Sequence, residues 1–261
     1  MKIHYTFLLS YLILLVSCNS TETDQQSKKS DSVHNPVEST RLPSETLQTT
    51  AVKAKYSEII KIDYLKNKEI LDILPLLPDS AMTSWEWKKE EREGWVRSLA
   101  ANNQFTDTTK NYNTINKLTP NYFETLVVDG LWTVALYKLS ENHYIVITND
   151  IVGDGYDINA FEVKDQQIQA ISVDNLIGTK PGDLLLKNNS EKCKSFISEK
   201  DMGMFTYDFS DPDIIRIYCD YLTKKENSAC FKGNEVTLKF NKDLKRFDFI
   251  KISWRDRPVY D

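Results

Sequence analysis

From residue 121 onward, apolar side chains recur at every second position in a series of short runs. This alternation predicts β-strands, because successive side chains of a strand point to opposite faces and one face can then line a core. The runs cover residues 122–128, 131–139, 143–149, 159–164, 168–173, 204–209, 214–221, 234–240 and 246–254. Short turns separate them, and Asp129-Gly130 between two apolar runs is typical of a hairpin. Residues 121–261 are therefore predicted to form an antiparallel meander of one or more sheets.

Residues 55–120 carry a helical spacing instead and are predicted to be mainly helical. The apolar residues near one helical face are Tyr56, Ile60, Tyr64, Leu71 and Leu74. Pro75 and Pro78 end that segment, and Ser84 is a candidate N-cap for a second helix that runs to about Ala101. The predicted fold class is α+β and β-rich, with N-terminal helices followed by antiparallel meander sheets.

The start of the second predicted helix, SWEWKKEEREGWV, sets Trp85, Trp87 and Trp95 around six consecutive charged residues. Exposed tryptophans in this arrangement could form a contact surface for a sugar or a peptide. Tryptophan more often buries its large ring in a core, however. We therefore expect a solvated helix whose Trp95, Val96 and Leu99 pack on the sheet.

The first 17 residues have the order of a secretory signal peptide, with a charged Lys2, an apolar core over residues 7–16 and the small Ser17. The apolar core is too short to cross a bilayer as a helix, which takes roughly 20 apolar residues. The segment Leu15-Val16-Ser17-Cys18 resembles the lipobox of bacterial lipoproteins. That resemblance implies a diacylglyceryl group on the Cys18 thiol, cleavage before this residue, and a further acyl chain such as palmitate on its amine.

A lipid on Cys18 implies a protein anchored to a membrane of the cell envelope of a Gram-negative bacterium. The residue after the cysteine is Asn19. An Asp at this position would resemble the inner-membrane retention signal of enteric bacteria, so the outer membrane is expected instead. Residues 18–54 are predicted to be the lipidated cysteine and a disordered tether. Residues 19–54 hold twelve Ser and Thr and no aromatic residue, and such a composition cannot bury enough apolar surface to offset the entropy of ordering. Residues 55–261 are expected to form one globular unit.

The overall composition is that of a chain with a real core and an acidic surface. Hydrophobic residues make up 41% of the sequence, and the formal net charge is −5. Lysines alternate with acidic residues along most segments, so no basic face is present. Nucleic acid is therefore not an expected partner.

Besides Cys18 the sequence contains Cys193, Cys219 and Cys230. In the oxidising compartment of the envelope, such cysteines are expected to form disulfides. They allow one disulfide, and Cys219–Cys230 is the first choice because it closes the shortest loop, with pairings of Cys193 left open. Alternation with Ile217 turns Cys219 toward the core. A zinc site is not expected, because the spacings contain no C-x₂-C pair and histidine is scarce.

The segment TNDIVGDGYDINAF, residues 148–161, concentrates side chains with oxygen atoms, namely Asp150, Asp154, Asp157 and Asn159. Calcium takes six to eight oxygen ligands and suits such a loop. Against the EF-hand pattern, however, Val152 and Phe161 stand where two ligands are required. A polar hairpin loop, in which Gly153 and Gly155 supply positive φ, is therefore the expected structure, and calcium at the four oxygen-bearing residues is the alternative. No other cofactor is expected.

Motifs of the common enzyme classes are absent from the sequence, including H-E-x-x-H, G-x-S-x-G, the P-loop and the dinucleotide fingerprint. His143 is the one histidine of the predicted globular unit, and its place in an alternating strand beside Tyr144 favours a structural role. The tripeptide DPD at residues 211–213 is expected to make the turn before a strand. A glycoside hydrolase leaves no such motif, because its two carboxylates meet only in three dimensions.

These observations favour a non-enzymatic envelope lipoprotein that binds an envelope protein or a glycan. An inhibitor-type module would suit the acidic charge if its target enzyme were basic. A carboxylate-based hydrolase of envelope glycans is the alternative. The patterns ALYKLSENHYIVITNDIVGDGYDINAFEV and VTLKFNKDLKRFDFIKISW, within residues 120–255, resemble domains of uncharacterised lipoproteins of Gram-negative bacteria. That resemblance carries no catalytic motif with it.

Overall fold

A computed structural model describes residues 57–84, 86–108, 114–127, 130–153, 155–178, 180–187, 190–198 and 205–256. The predicted signal peptide, Cys18 and the tether lie outside these residues. In chain order the strands are β1 (Glu58–Lys61), β2 (Gln104–Asp107), β3 (Thr114–Thr119), β4 (Tyr122–Val127), β5 (Gly130–Ser140), β6 (His143–Val152), β7 (Gly155–Lys164), β8 (Gln167–Ile171), β9 (Thr206–Asp208), β10 (Ile214–Tyr218), β11 (Glu235–Asn241) and β12 (Arg246–Ser253). The α-helices are α1 (Lys68–Ile73), α2 (Lys89–Asn102), α3 (Val173–Ile177), α4 (Pro181–Leu185), α5 (Glu191–Ser198) and α6 (Lys224–Asn227), and 3₁₀ turns cover Leu74–Leu76 and Asp79–Met82.

The described strands form three antiparallel sheets in which neighbours in sequence are neighbours in space. Strands β3 to β8 form a six-stranded sheet, β9 to β12 a four-stranded sheet, and β1 pairs with β2. A hairpin joins β4 and β5 where the Asp129-Gly130 signal predicts one, with Val127 directly opposite Gly130, the first residue of β5. The prediction of a β-rich fold with antiparallel sheets is confirmed.

The two central strands of the six-stranded sheet, β5 and β6, are buried on both faces. On one face Ile145 and Ile147 join the inner core, which lies between this sheet and the four-stranded sheet. On the other face Tyr144 and Val146 join the helix core, which α1, α2 and the 3₁₀ turns cover. The inner core also contains Tyr137, Ile215, Ile217, Val236, Phe240 and Phe247, and the helix core also contains Ile70, Leu74, Trp95, Leu99, Phe123 and Trp132. The six-stranded sheet is therefore the middle layer of three.

The segment predicted as mainly helical also holds strands, and the helix predicted through Ile60 is wrong. Ile60 lies in β1, where it pairs with Phe105 of β2, and α1 begins only at Lys68. Pairing with a strand more than forty residues away is a tertiary effect that helical spacing cannot show. Ser84 is not the N-cap of α2, which begins at Lys89. Its N–H group donates instead to Asp150 Oδ2 at 3.0 Å.

Helix α2 packs on the six-stranded sheet through Trp95, Val96 and Leu99, all of which are buried. The Trp95 ring lies 6.0 Å from the Phe123 ring, centroid to centroid, in an edge-to-face arrangement. The interpretation of these side chains as core residues is confirmed. Trp87 also packs against the helix core, and its ring lies 5.3 Å from that of Trp95. Trp85 lies outside the described residues.

Arg92 is the fourth inward residue of α2, and its side chain is fully buried. Its Nε donates to the Leu74 carbonyl at 2.9 Å, and its Nη1 donates to Asp79 Oδ1 at 3.0 Å. The guanidinium also donates to the carbonyl oxygens of Leu77 and Trp87. The guanidinium thus donates to the carbonyl of Leu74 in the first 3₁₀ turn, of Leu77 directly after it, and of Trp87 in the chain before α2. These hydrogen bonds hold the three segments together.

A disulfide joins Cys193 of α5 to Cys230, with the two Cα atoms 5.3 Å apart. The first-choice pairing of Cys219 with Cys230 is therefore wrong. Cys219 is fully buried in the inner core beyond β10, as its alternation with Ile217 predicts, and it takes no part in the disulfide. The bridge closes a span of 37 residues, for which chain entropy gives a stabilisation of about 4 kcal/mol.

The Arg92 contacts predict a large loss of stability in Arg92→Met, which keeps the length of the side chain and removes its donors. Several buried carbonyls would lose their partners, and the free energy of unfolding should fall by about 3 kcal/mol. For a domain of this size that is a fall in Tm of roughly 6–12 °C. Thermal unfolding followed by circular dichroism measures it. Lys89→Met, at an exposed position of the same helix, is the control and should shift Tm by about 1 °C or less. Equal shifts in the two variants would contradict the role of Arg92.

Candidate functional site

A cleft of about 940 Å³ lies between α1 and one end of the six-stranded sheet. That volume is in the range of small-molecule sites. Its apolar part is made by Ile73, Leu76, Tyr144 and Val163. Tyr144 and Val163 are directly opposite each other on β6 and β7, so the sheet supplies a flat, rigid surface on that side. The cleft thus has a fixed apolar floor.

Charged and amide side chains surround this floor. From α1 come Lys68, Glu69 and Asp72, on the side of the helix opposite to its buried Ile70 and Leu71. From the end of β5, the β5–β6 turn and the β7–β8 turn come Lys138, Glu141, Asn142, Asp165 and Gln166. The lining therefore combines ammonium and amide donors with carboxylate and amide acceptors.

Two ion pairs position the lysines of the cleft. Lys138 binds Glu69 and so links the sheet to α1, while Lys68 binds Asp72 within α1. Asp72 also accepts a hydrogen bond from the Tyr64 hydroxyl at 2.6 Å. The hydrogen bond to Asp72 raises the pKa of Lys68, and that to Glu69 raises the pKa of Lys138. Both lysines are therefore cationic at neutral pH. Because the pairs are about half exposed, they orient side chains more than they stabilise the fold.

Tyr144 presents its ring to the cleft beneath Lys138. The Lys138 Nζ atom lies 5.7 Å from the centre of the ring, within the range of a cation–π contact. Burial raises the pKa of the Tyr144 hydroxyl, so the phenol stays neutral and can donate a hydrogen bond. The residue is 6% exposed, so its ring belongs to the floor of the cleft and does not project into it.

The two hairpin turns at the end of the cleft are joined to each other. Asn142, Asp165 and Gln166 have positive φ angles of 54°, 49° and 66°, which tight hairpin turns require. The Asp165 N–H group donates to the Asn142 carbonyl at 3.0 Å and joins the two turns. Their side chains are thus held at fixed positions around one end of the cleft.

Sequence reasoning did not identify the cleft. Its key contact, between Glu69 and Lys138, joins residues 69 positions apart, and each looks like a surface charge in its own segment. The one local signal is Lys138, an exposed cation directly after the buried run of residues 132–137 in β5. A single exposed lysine near a turn does not by itself indicate a site.

The residues predicted as calcium ligands lie at the other end of β6 and β7. Asp150 is directly opposite Asp157, and Asn159 is opposite Thr148. Asp154 lies outside the described residues. The part of the chain that the structure describes holds no group of three or more His, Cys, Asp or Glu side chains suited to a metal. The DPD segment makes a turn before β10, because the Asp213 N–H group donates to Asp211 Oδ1 at 3.0 Å.

Comparisons with known proteins give no family for this chain. Neither the protein-family models nor the curated proteins contain a match. Among solved structures, a domain of an uncharacterised protein from Porphyromonas gingivalis W83 is similar, with a TM-score of 0.48 and 12% sequence identity. The similarity covers 70% of this chain and 98% of that one. At this TM-score and identity the similarity carries no information about function.

His143 lies on the face of the sheet opposite to the cleft, where it contacts Glu162 of the neighbouring strand. The His143 Nε2 atom and the Lys245 Nζ atom each lie 2.6 Å from Glu162 Oε1. Lys245 belongs to the β11–β12 turn, so this carboxylate connects the six-stranded and four-stranded sheets. The hydrogen bond from Lys245, followed by that from His143, lowers the pKa of Glu162. This contact fits the structural role expected of His143.

Glu162→Gln is expected to remove an acid-sensitive part of the stability. The folded-state pKa of Glu162 lies below its ordinary value of 4.5, so its contribution is complete above pH 4.5 and is lost as the pH falls through the folded-state pKa. At pH 7 the variant should lose about 1 kcal/mol, or roughly 2–4 °C in Tm. Below pH 4.5 its Tm should approach that of the unmodified protein. Thermal unfolding between pH 3 and pH 7 tests this, with exposed Asp243→Asn as the control, and a constant difference across that range would contradict it.

Proposed function

We propose that the protein is a lipid-anchored envelope protein that binds a polar, hydroxyl-rich ligand in the cleft between α1 and the six-stranded sheet. The observation that carries the proposal is the cleft itself, with an apolar floor at Tyr144 and Val163 and a ring of donors and acceptors around it. Sites for small polar ligands have this composition, since the floor excludes water and the polar groups set orientation.

The anchor is proposed from the lipobox-like segment that ends at Cys18. Two or more acyl chains on one residue hold a protein firmly to a membrane, whereas one chain binds only marginally. Asn19 after the cysteine favours the outer membrane. No helix among the described residues is long and apolar enough to cross a bilayer.

The charge of the cleft narrows the chemistry of its ligand. Its lining carries two lysines, Lys68 and Lys138, against four carboxylates, Glu69, Asp72, Glu141 and Asp165. The balance is negative, which disfavours phosphates and other anions. Carboxylates accept hydrogen bonds from hydroxyl groups, and ammonium groups donate to them. A neutral glycan of the envelope fits these groups.

Hydrolysis of a glycan in the same cleft is the second candidate, and Glu141 and Asp165 favour it. Glu69 and Asp72 are both held by lysines, whereas neither Glu141 nor Asp165 forms an ion pair with another described residue. Two carboxylates on opposite sides of a sugar are the groups that a glycosidase uses. Binding is the better-supported function, because a general acid also needs a site that keeps it protonated.

The anchor predicts that the protein fractionates with membranes and that Cys18→Ala releases it. The substitution removes the thiol that would receive the diacylglyceryl group and with it the acyl chains. Membrane and soluble fractions of cells that express each form, followed by immunoblotting, measure the distribution. Cys219→Ala, which leaves Cys18 intact, is the matched control and should stay in the membrane fraction. A soluble unmodified protein would contradict the anchor.

The cleft predicts that neutral oligosaccharides of N-acetylglucosamine bind and that Lys138→Met with Glu141→Gln weakens binding at least tenfold. The double variant removes the Lys138 donor and replaces the Glu141 carboxylate by a neutral amide with one acceptor oxygen in place of two, each change worth on the order of 1 kcal/mol, while it keeps the side-chain stems. Isothermal titration calorimetry measures Kd. Lys239→Met with Asp243→Asn, exposed positions of β11 and the turn after it, is the matched control.

Product analysis by mass spectrometry on the same mixtures separates the two candidate functions. Binding without new reducing ends supports the binding protein. New reducing ends that are absent with Glu141→Gln or Asp165→Asn would instead support the hydrolase. An affinity that is the same in the cleft variant and the control variant would contradict both.

A further inference from the structure

The end of the β6–β7 hairpin that is remote from the cleft carries four oxygen-bearing side chains on one face. Thr148 and Asp150 are two residues apart on β6, so they point to the same face, and so do Asp157 and Asn159 on β7. The strand register sets Thr148 opposite Asn159 and Asp150 opposite Asp157. The Cβ atoms of such cross-strand pairs lie about 4.5–5.5 Å apart. The four side chains therefore surround one small area.

This face is the one that packs on the helix core. Val146 and Phe161, the next pair along the same two strands, are buried in that core. On this face the next cross-strand pair is Thr148 with Asn159, and the one after it is Asp150 with Asp157. The face therefore changes from apolar to polar directly after Val146 and Phe161. From Tyr144 in the cleft to Asp150 is six residues, roughly 20 Å along an extended strand. The polar face is a separate feature from the cleft.

The two aspartates oppose each other without a cation between them. Asp150 is 4% exposed, and its carboxylate accepts a hydrogen bond from the Ser84 N–H group at 3.0 Å. No lysine, arginine or histidine among the described residues forms an ion pair with Asp150 or Asp157. Like charges directly across a pair of strands destabilise it, and a buried carboxylate without a counter-charge is costly. A positive charge at this point would remove both costs.

Thr148 gives an independent indication of a ligand. Its side chain is fully buried, and within the described part of the chain its Oγ1 atom has no hydrogen-bond partner. A buried hydroxyl normally has one, so this oxygen is expected to face a group that the polypeptide does not supply. The Asn159 amide likewise has a buried Nδ2 atom without a partner, and a half-turn of the amide would bring its Oδ1 atom to the same place.

We propose that Thr148, Asp150, Asp157 and Asn159 form a calcium site at the end of the β6–β7 hairpin. Two carboxylates, an amide oxygen and a hydroxyl are hard oxygen ligands, and water would complete the six to eight that calcium takes. Magnesium needs near-ideal octahedral geometry, which side chains fixed on two strands do not readily provide. With only two charged ligands, the affinity belongs with that of extracellular calcium modules, with Kd of about 10⁻⁴–10⁻³ M.

The role of the ion is structural. It neutralises the two aspartates and, through Asp150, strengthens the link between the hairpin and the chain at Ser84, which follows the 3₁₀ turn Asp79–Met82. That turn is already tied to the sheet, since the Trp132 Nε1–H group donates to the Ala81 carbonyl at 2.8 Å. Calcium would therefore stabilise the contact between the helical layer and the six-stranded sheet.

Thermal unfolding of the whole chain with and without calcium tests the site. At 10 mM CaCl₂, a Kd of about 10⁻⁴–10⁻³ M predicts a rise in Tm of roughly 3–10 °C. Magnesium chloride at the same ionic strength should give a smaller rise. Asp157→Asn, at an exposed position that tolerates the change, should abolish the calcium effect, and so should Asp150→Asn, whose amide oxygen can still accept from Ser84. Asp243→Asn, an exposed aspartate elsewhere, should retain it.

Terbium luminescence gives a second measurement that does not depend on stability. Trp132 is directly opposite Asp150 on β5, so a terbium ion in the site should show tryptophan-sensitised emission that calcium displaces. Loss of the calcium-sensitive emission in Asp157→Asn, with retention in Asp243→Asn, supports the site. No rise in Tm at 10 mM calcium, or an equal rise in Asp157→Asn and Asp243→Asn, would overturn it.

Discussion

Burial of β5 and β6 on both faces is the constraint on which the rest of the structure depends. A strand with apolar residues such as Ile145 and Val146 at successive positions exposes hydrophobic surface unless a layer covers each side. The four-stranded sheet with α3, α4 and α5 covers one face, and α1 and α2 with the 3₁₀ turns cover the other. The disulfide of α5 and the buried guanidinium of Arg92 then fix segments within these two covering layers.

Both proposed sites lie where the covering layer of helices ends. The face of β6 and β7 toward the helices is apolar from Tyr144 and Val163 to Val146 and Phe161. Polar groups follow in the hairpin turns at one end and from Thr148 onward at the other. At one end the gap between α1 and the hairpin turns is the cleft, with Tyr144 as its floor. At the other end Asp150 and Asp157 meet beside Ser84. The same two strands would thus hold the proposed ligand site and the proposed ion site apart at a fixed distance, as rigid elements do.

The strands were the predictable part, because alternation is a local signal. The runs at residues 143–149 and 214–221 match β6 and β10, whereas β6 extends further and β10 ends at Tyr218. Contacts between distant segments were not predictable. The partner of Cys193, the pairing of Ile60 with a remote strand, and the contact of Glu69 with Lys138 depend on how layers pack. Sequence spacing carries no information about that packing, so the cleft could not be inferred.

Amide hydrogen exchange measured strand by strand tests most directly whether the doubly buried strands are the frame of the molecule. If they are, the hydrogen-bonded amides of β5 and β6 exchange only through global unfolding, with the free energy measured by denaturant. Those of β1, β2 and the edge strand β8 should exchange through local opening at lower free energies. Exchange of β5 and β6 as fast as that of β8 would contradict the account, because two covering layers could not then be what protects them.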